Sequence, residues 1–222
     1  MMPELLTLGT LRLDGILLTA ILSAAVGFIA LSIWLKHVGD ERKAWWVSLW
    51  PNGCLLTLLC WKLAFLFNEP SMLWERPSSL ILMRGSAEDA ALGIMVALIY
   101  MIIAVRKRGI TVLSLLDILP FAVLPCCIGF GLLWQNPYLL PYAGLFAALY
   151  VVLLRSPGTR EAGSGRSAQI TLLGAGLGGL LISLFAPYSP GMLPELTVGL
   201  TTGQWSFVGL SVLGTLLQAR SG

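Results

Sequence analysis

LILMRGSAEDAALGIMVALIYMIIAVRKRGITVLSLLDILP, residues Leu80 to Pro120, decides how this chain is read. A charged elbow, Arg84 to Asp89, opens an apolar run that ends in Arg106, Lys107 and Arg108. A second apolar run starts at once and carries Asp117. Two such runs joined by a basic turn predict two membrane helices with the turn in the cytoplasm. The elbow then lies on the outer side, and Ser86-Ala87-Glu88-Asp89 reads as a capping box opening the first of the two helices.

The remaining chain repeats the pattern. Hydrophobic residues make up 57% of the sequence and charged ones 11%, too few charges to cover a soluble domain of this size. Apolar runs of about twenty residues, each long enough to cross about 30 Å of hydrocarbon, occupy Leu13–Leu35, Ala44–Phe67, Asp89–Val105, Ile110–Trp134, Tyr138–Leu154, Gln169–Ala186 and Thr201–Gln218. The expectation is an all-α integral membrane protein, a single polytopic domain over residues 1–222 with seven transmembrane helices. The N-terminus lacks the basic start and cleavage site of a signal peptide. Leu80–Met83 reads as a dip into the interface, and SPGTREAGSGRS (156–167) as a flexible, basic loop.

Charge sets the orientation. Lys36, Arg42, Lys43, Arg106, Lys107, Arg108, Arg155, Arg160, Arg166 and Arg220 share one side of a seven-span arrangement. The other side has only Arg12, Arg76 and Arg84, with Lys62 just inside the bilayer. Basic residues resist translocation, so the N-terminus is expected outside and the C-terminus in the cytoplasm of a plasma-membrane protein. The same distribution accounts for the net charge of +3, and no nucleic-acid partner is implied.

The ionisable groups then sort by depth. Asp14, Lys62, Arg84, Glu88 and Asp89 fall at the outer boundary, where charges are paired or functional because burying one costs about 2.5–3.5 kcal/mol at a helix centre. They form a candidate site for an anionic headgroup. Each also has a plainer reading: Lys62 snorkels from a helix end, Glu88 and Asp89 cap a helix, and Asp14 marks an interface. Asp117 lies deeper, about 10 Å from the cytoplasmic boundary; it is a structural hydrogen-bond acceptor or a proton-relay group. Cys54, Cys60, Cys126 and Cys127 show neither a CxxC nor a metal spacing, so no metal or cofactor is expected; a thiol-redox role for Cys126 and Cys127 is the weaker alternative. His37 is the sole histidine and flanks the membrane. The glycine-rich run 174–179 lies within a span, with Gly174 and Gly178 spaced for close helix packing rather than for a nucleotide.

The ordered set resembles the prolipoprotein diacylglyceryl transferase family along nearly the whole chain. The carrying segments are LRLDGI with Arg12 and Gly15, CWKLAFLF with Lys62 where the family usually has arginine, and MRGSAEDAALG–RKRG–LLDILP with Gly93, Asp117 and Pro120. NPYLLPYAGLFAALYVVLL and TTGQW, with Gly203 and Gln204, complete it. The resemblance implies transfer of a diacylglyceryl group from phosphatidylglycerol, the phospholipid partner, to the signal cysteine of a prolipoprotein at the outer leaflet. It implies Glu88 and Arg84 as catalytic groups, with Arg12, Asp14, Lys62, Asp117 and Gln204 binding substrate. The chain departs from the family where Glu88 replaces a histidine, PCCIGFG replaces an arginine- and asparagine-containing signature, GAGLGG replaces an arginine, and Asp14 replaces a tyrosine. A non-catalytic relative that binds lipid or protein is the alternative.

The topology has a direct test. With single cysteines placed at positions 84 and 106 of a cysteine-free chain, an impermeant thiol reagent is expected to label position 84 in intact cells and position 106 only after the membrane is opened.

Overall fold

The computed structural model describes residues 5–8, 11–39, 41–64, 85–134, 136–156, 162–185 and 196–221. A short antiparallel hairpin, β1 (Leu5–Leu8) and β2 (Leu11–Asp14), pairs Leu5 with Asp14 and Leu8 with Leu11. It is the only sheet among the described residues of an otherwise helical fold, as expected, and it runs directly into α1 (Gly15–Val38). Then come α2 (Lys43–Leu63), α3 (Ala87–Lys107), α4 (Val112–Ile118), α5 (Pro120–Trp134), α6 (Leu140–Arg155), α7 (Arg166–Leu184) and α8 (Thr202–Ser221). Helix occupies each of the seven expected stretches. Four of them, Gly15–Val38, Glu88–Lys107, Val112–Trp134 and Arg166–Leu184, are long and apolar enough to cross a membrane, and Leu140–Arg155 is a shorter apolar helix.

The fourth stretch is broken once, for a simple reason. Pro120 has no N–H, so the carbonyl of Leu116 loses its partner one turn on. The chain turns at Leu119, and Pro120 opens α5 at the position where proline fits best. Leu119 N–H still reaches the Leu115 carbonyl at 2.9 Å and Val123 N–H the Leu119 carbonyl at 2.9 Å, while Ala122 N–H is drawn to the Leu119 carbonyl at 3.0 Å, so α4 and α5 follow one another across a short break in the ladder. Leu80–Met83, expected at the interface, lies outside the described residues.

Apolar side chains cover the outside of the helices as well as the core, and a few polar groups are buried among them. Ile29 and Leu181 are 56% and 59% exposed, while Thr19, Ser23, Asp117, Ser167 and Gln204 are buried. Apolar groups outside and small polar groups inside suit helices whose solvent is hydrocarbon, where close packing and internal hydrogen bonds replace the hydrophobic effect as the force between helices.

The chain divides into two compact units. In residues 40–112, α2 packs on α3. The contact face of α3 is the four-residue series Gly93, Ala97, Met101 and Val105, all buried. A Cβ on Gly93 would come within 2.6 Å of the Thr57 carbonyl oxygen, so only glycine lets the two backbones approach this closely. Thr57 Oγ1 donates to its own helix at Gly53 O (3.0 Å) and lies 3.4 Å from Gly93 O across the seam. At the far end the Arg108 guanidinium lies over the Trp45 ring, 4.9 Å from its centroid.

The other unit holds residues 1–39 and everything from Leu113. Here α1 packs on α5, α5 on α6, α6 on α7 and α7 on α8. The buried face of α1 is a row of small residues one turn apart, Gly15, Thr19, Ser23 and Gly27. Thr19 and Ser23 turn their hydroxyls back onto the carbonyls of Gly15 (2.8 Å) and Thr19 (2.6 Å), leaving no polar atom to satisfy elsewhere. Trp34 stacks on Phe121 of α5 at 3.9 Å, and Phe121 meets Tyr150 of α6 edge-on.

The glycine run of α7 serves two neighbours rather than one. Gly174 and Gly178, the expected pair, face Leu149 and Leu145 of α6. Gly176 and Gly179 face α8, where a Cβ on Gly176 would sit 2.6 Å from Ser211 N and 2.7 Å from Phe207 O. Overpacking of this kind costs about 1–3 kcal/mol or more. Gly176→Val is therefore expected to lower the melting temperature of the purified protein in detergent, whereas Gly144→Ala, with nothing within 4 Å of the new methyl, is expected to leave it unchanged or slightly raised.

Candidate functional site

Of the residues expected at the outer boundary, Lys62, Glu88 and Asp89 lie at one end of the α2–α3 pair. Trp61, in the last turn of α2, donates its indole N–H to the Gly85 carbonyl at 2.9 Å. This bond fixes where the chain enters α3, and it is close: a Cβ on Gly85 would collide with the Trp61 carbonyl. Lys62 is the next residue, half-buried in the same last turn of α2. Its cation complements the negative end of the helix. Trp61 was not singled out from the sequence; nothing in its spacing distinguishes it from the other seven tryptophans.

The capping box is formed. Ser86 Oγ accepts from Asp89 N–H at 3.1 Å, and Asp89 Oδ2 accepts from Ser86 N–H at 2.7 Å. Glu88 stands between them in the first turn of α3, exposed, with its carboxylate toward the positive end of the helix dipole. Of the expected catalytic pair, Glu88 lies in the first turn of α3, and Arg84 lies outside the described residues. Arg12 and Asp14 contribute backbone to β2; their side chains lie outside the described part of the structure.

Asp117 has a different surrounding. It is 1% exposed. Oδ2 accepts from Gly163 N–H at 2.9 Å and from Gly165 N–H at 2.7 Å, and Oδ1 accepts from Ala168 N–H at 3.1 Å. Gly165 is the N-cap of α7, in the left-handed region at φ 78° and without a side chain to cap the helix itself. Asp117 supplies that missing cap from 48 residues away, taking the N-cap and N3 amides together. Gly163, at φ 104°, brings the third amide to the same oxygen. The end of the 156–167 segment, expected as a flexible loop, is therefore a fixed turn over residues 162–165. The structural-acceptor reading of Asp117 fits these bonds; the partner is loop backbone and a helix start rather than a side chain of a neighbouring helix.

Gln204 is likewise turned inward, 4% exposed. Its Oε1 accepts from Thr201 N–H at 2.9 Å, and Thr201 Oγ1 accepts from Gln204 N–H at 3.2 Å. TTGQ is thus a reciprocal cap on α8, legible as a T-x-x-Q spacing that the sequence reading attached only to the resemblance. Cys54, Cys60, Cys126 and Cys127 are free thiols. Cys126 and Cys127 line a cavity of about 280 Å3 between α1, α5 and α6, beside Ser23, Phe130 and Tyr142. Consecutive helical residues point about 100° apart. Among the described residues no group of histidine, cysteine and carboxylates is arranged to hold a metal.

The chain matches no protein-family model and no curated protein.

The Asp117 cap carries the strongest stability expectation. Removing a carboxylate that takes three backbone amides, two of them buried, leaves each without an acceptor, at about 1–3 kcal/mol per buried group. Asp117→Ala is expected to abolish accumulation of folded protein. Asp117→Asn, which keeps one acceptor oxygen, is expected to fold with a lowered melting temperature. Hydrogen exchange at Gly163, Gly165 and Ala168 should rise in that variant ahead of the helix centres.

Proposed function

We propose that this chain is a seven-span protein of the cytoplasmic membrane, N-terminus outside, with the architecture of the prolipoprotein diacylglyceryl transferases and a lipid-handling site at the outer ends of α2 and α3. The observation that carries this reading is the order of helix ends. Helical segments fall at every stretch the resemblance requires, broken at Pro120, and under that topology ten basic residues gather on the inner side.

In the transferase reaction the thiol of a lipoprotein signal cysteine attacks the glyceryl carbon of phosphatidylglycerol. A sulfur–carbon bond forms, the carbon–oxygen bond to phosphate breaks, and glycerol phosphate leaves with the electron pair. Glu88 is the group placed to take the thiol proton. Arg84, Arg12 and Lys62 are the cations that the resemblance assigns to the phosphate. Their chemistry suits the departing anion, while Glu88 repels it.

A second reading is favoured by a specific observation. Two of the expected substrate-binding residues, Asp117 and Gln204, spend their acceptor oxygens on backbone amides. They hold helix ends whether or not a reaction occurs. A relative that keeps the lipid-binding architecture without the transfer step accommodates this directly.

Complementation separates the two. In cells depleted of their own transferase, the active reading expects this chain to place a diacylglyceryl adduct on a reporter lipoprotein, seen by mass spectrometry. The adduct should fall by about two orders of magnitude with Glu88→Ala, the usual scale for a lost general base, and with Arg84→Ala. No adduct despite good membrane accumulation selects the non-catalytic reading.

A further inference from the structure

A second lipid contact lies away from the outer ends of α2 and α3. An apolar slot of about 620 Å3 opens between α1 and α6. Its floor is preformed: Trp34, stacked on Phe121, and Tyr150, held edge-on by the same ring. Its walls are Ile29, Ile33 and Leu154, and His37 stands at its mouth. Lys36 and Arg155, exposed in the last turns of α1 and α6, are next in sequence to the lining residues His37 and Leu154.

Length and charge together identify the occupant. The slot follows α1 from Val26 to Val38, about 18 Å at 1.5 Å per residue. That is roughly half of a hydrocarbon core about 30 Å thick. It is the depth of one leaflet, too short for a transmembrane helix of a partner and right for an acyl chain. An acyl chain in a slot of this size makes dispersion contacts along its lining, whereas water would find few polar partners there. The basic mouth lies where the headgroup of such a chain would sit, and juxtamembrane cations attract anionic headgroups.

We propose that the α1–α6 slot binds an anionic phospholipid of the leaflet on the basic side of the membrane, one acyl chain along Trp34 and Tyr150 and the phosphate at Lys36, His37 and Arg155. The assignment of that leaflet to the cytoplasmic side rests on the topology proposed above; the binding itself does not require transferase activity.

The test uses the purified full chain in phosphatidylcholine nanodiscs. These are doped with phosphatidylglycerol bearing a photoreactive diazirine in one acyl chain, and adducts are mapped by mass spectrometry. The expected result is labelling concentrated on residues 26–38 and 150–154. A matched phosphatidylcholine probe should give about thirtyfold less there, the scale set by two juxtamembrane cations at about 1 kcal/mol each. Lys36→Gln with Arg155→Gln should remove that headgroup preference, and Ala30→Trp should block the slot for both probes. The proposal is overturned if labelling is spread evenly to lipid-facing Leu177 and Leu181, or if the two headgroups label the slot equally. Because the probe occupies both leaflets, an inverted topology leaves the result unchanged, and a chain inactive in complementation still shows it.

Discussion

A carboxylate that cannot be left alone organises the larger unit. Asp117 is buried, and its oxygens take three backbone amides from the turn before α7. The dependence is mutual. Without the amides the side chain is an uncompensated charge among apolar helices. Without the carboxylate, the first turn of α7 has orphan donors and an N-cap glycine that offers nothing. Gly165 cannot be replaced to relieve this, since its φ of +78° is unfavourable for any side chain, and a Cβ would press on Leu113 at 3.2 Å. The start of α7 is thereby pinned to α4, and α6 and α8 pack on α7 through opposite glycine pairs.

The glycine seams and the carboxylate divide the labour. Small residues on α1, α3 and α7 let backbones approach, which gives dispersion contact without relying on water. Contacts of that kind are tolerant of sliding along the helix axis. Side-chain-to-backbone bonds such as Trp61 to Gly85 and Asp117 to Gly165 are specific about height, and so set which turns stand opposite one another.

How much of this was legible in the sequence follows from the range of each interaction. The seven helical stretches could be read because apolar length is a local property. The Ser86–Asp89 cap could be read because its partners are three residues apart. The role of Asp117 could be read only as needing a donor, since Gly163 and Gly165 lie 46 and 48 residues away and their stretch resembles an ordinary loop. The second function of GAGLGG was hidden for a related reason. A spacing of four reveals one packing face, whereas Gly176 and Gly179 become meaningful only once Phe207 and Ser211 are known to lie against them. The hairpin before α1 was missed because LLTL and LRLD are only four residues each and run directly into the apolar span.

The distance in sequence between Asp117 and its amides has a consequence for biogenesis. During synthesis the aspartate emerges with α4, and α5 and α6 are made before Gly163 exists. For that interval the carboxylate has none of its final partners. The nascent chain must keep α4 near water, or within the insertion machinery, until the next turn arrives. The last contacts that bury the acidic side chain thus close only when a later loop is complete.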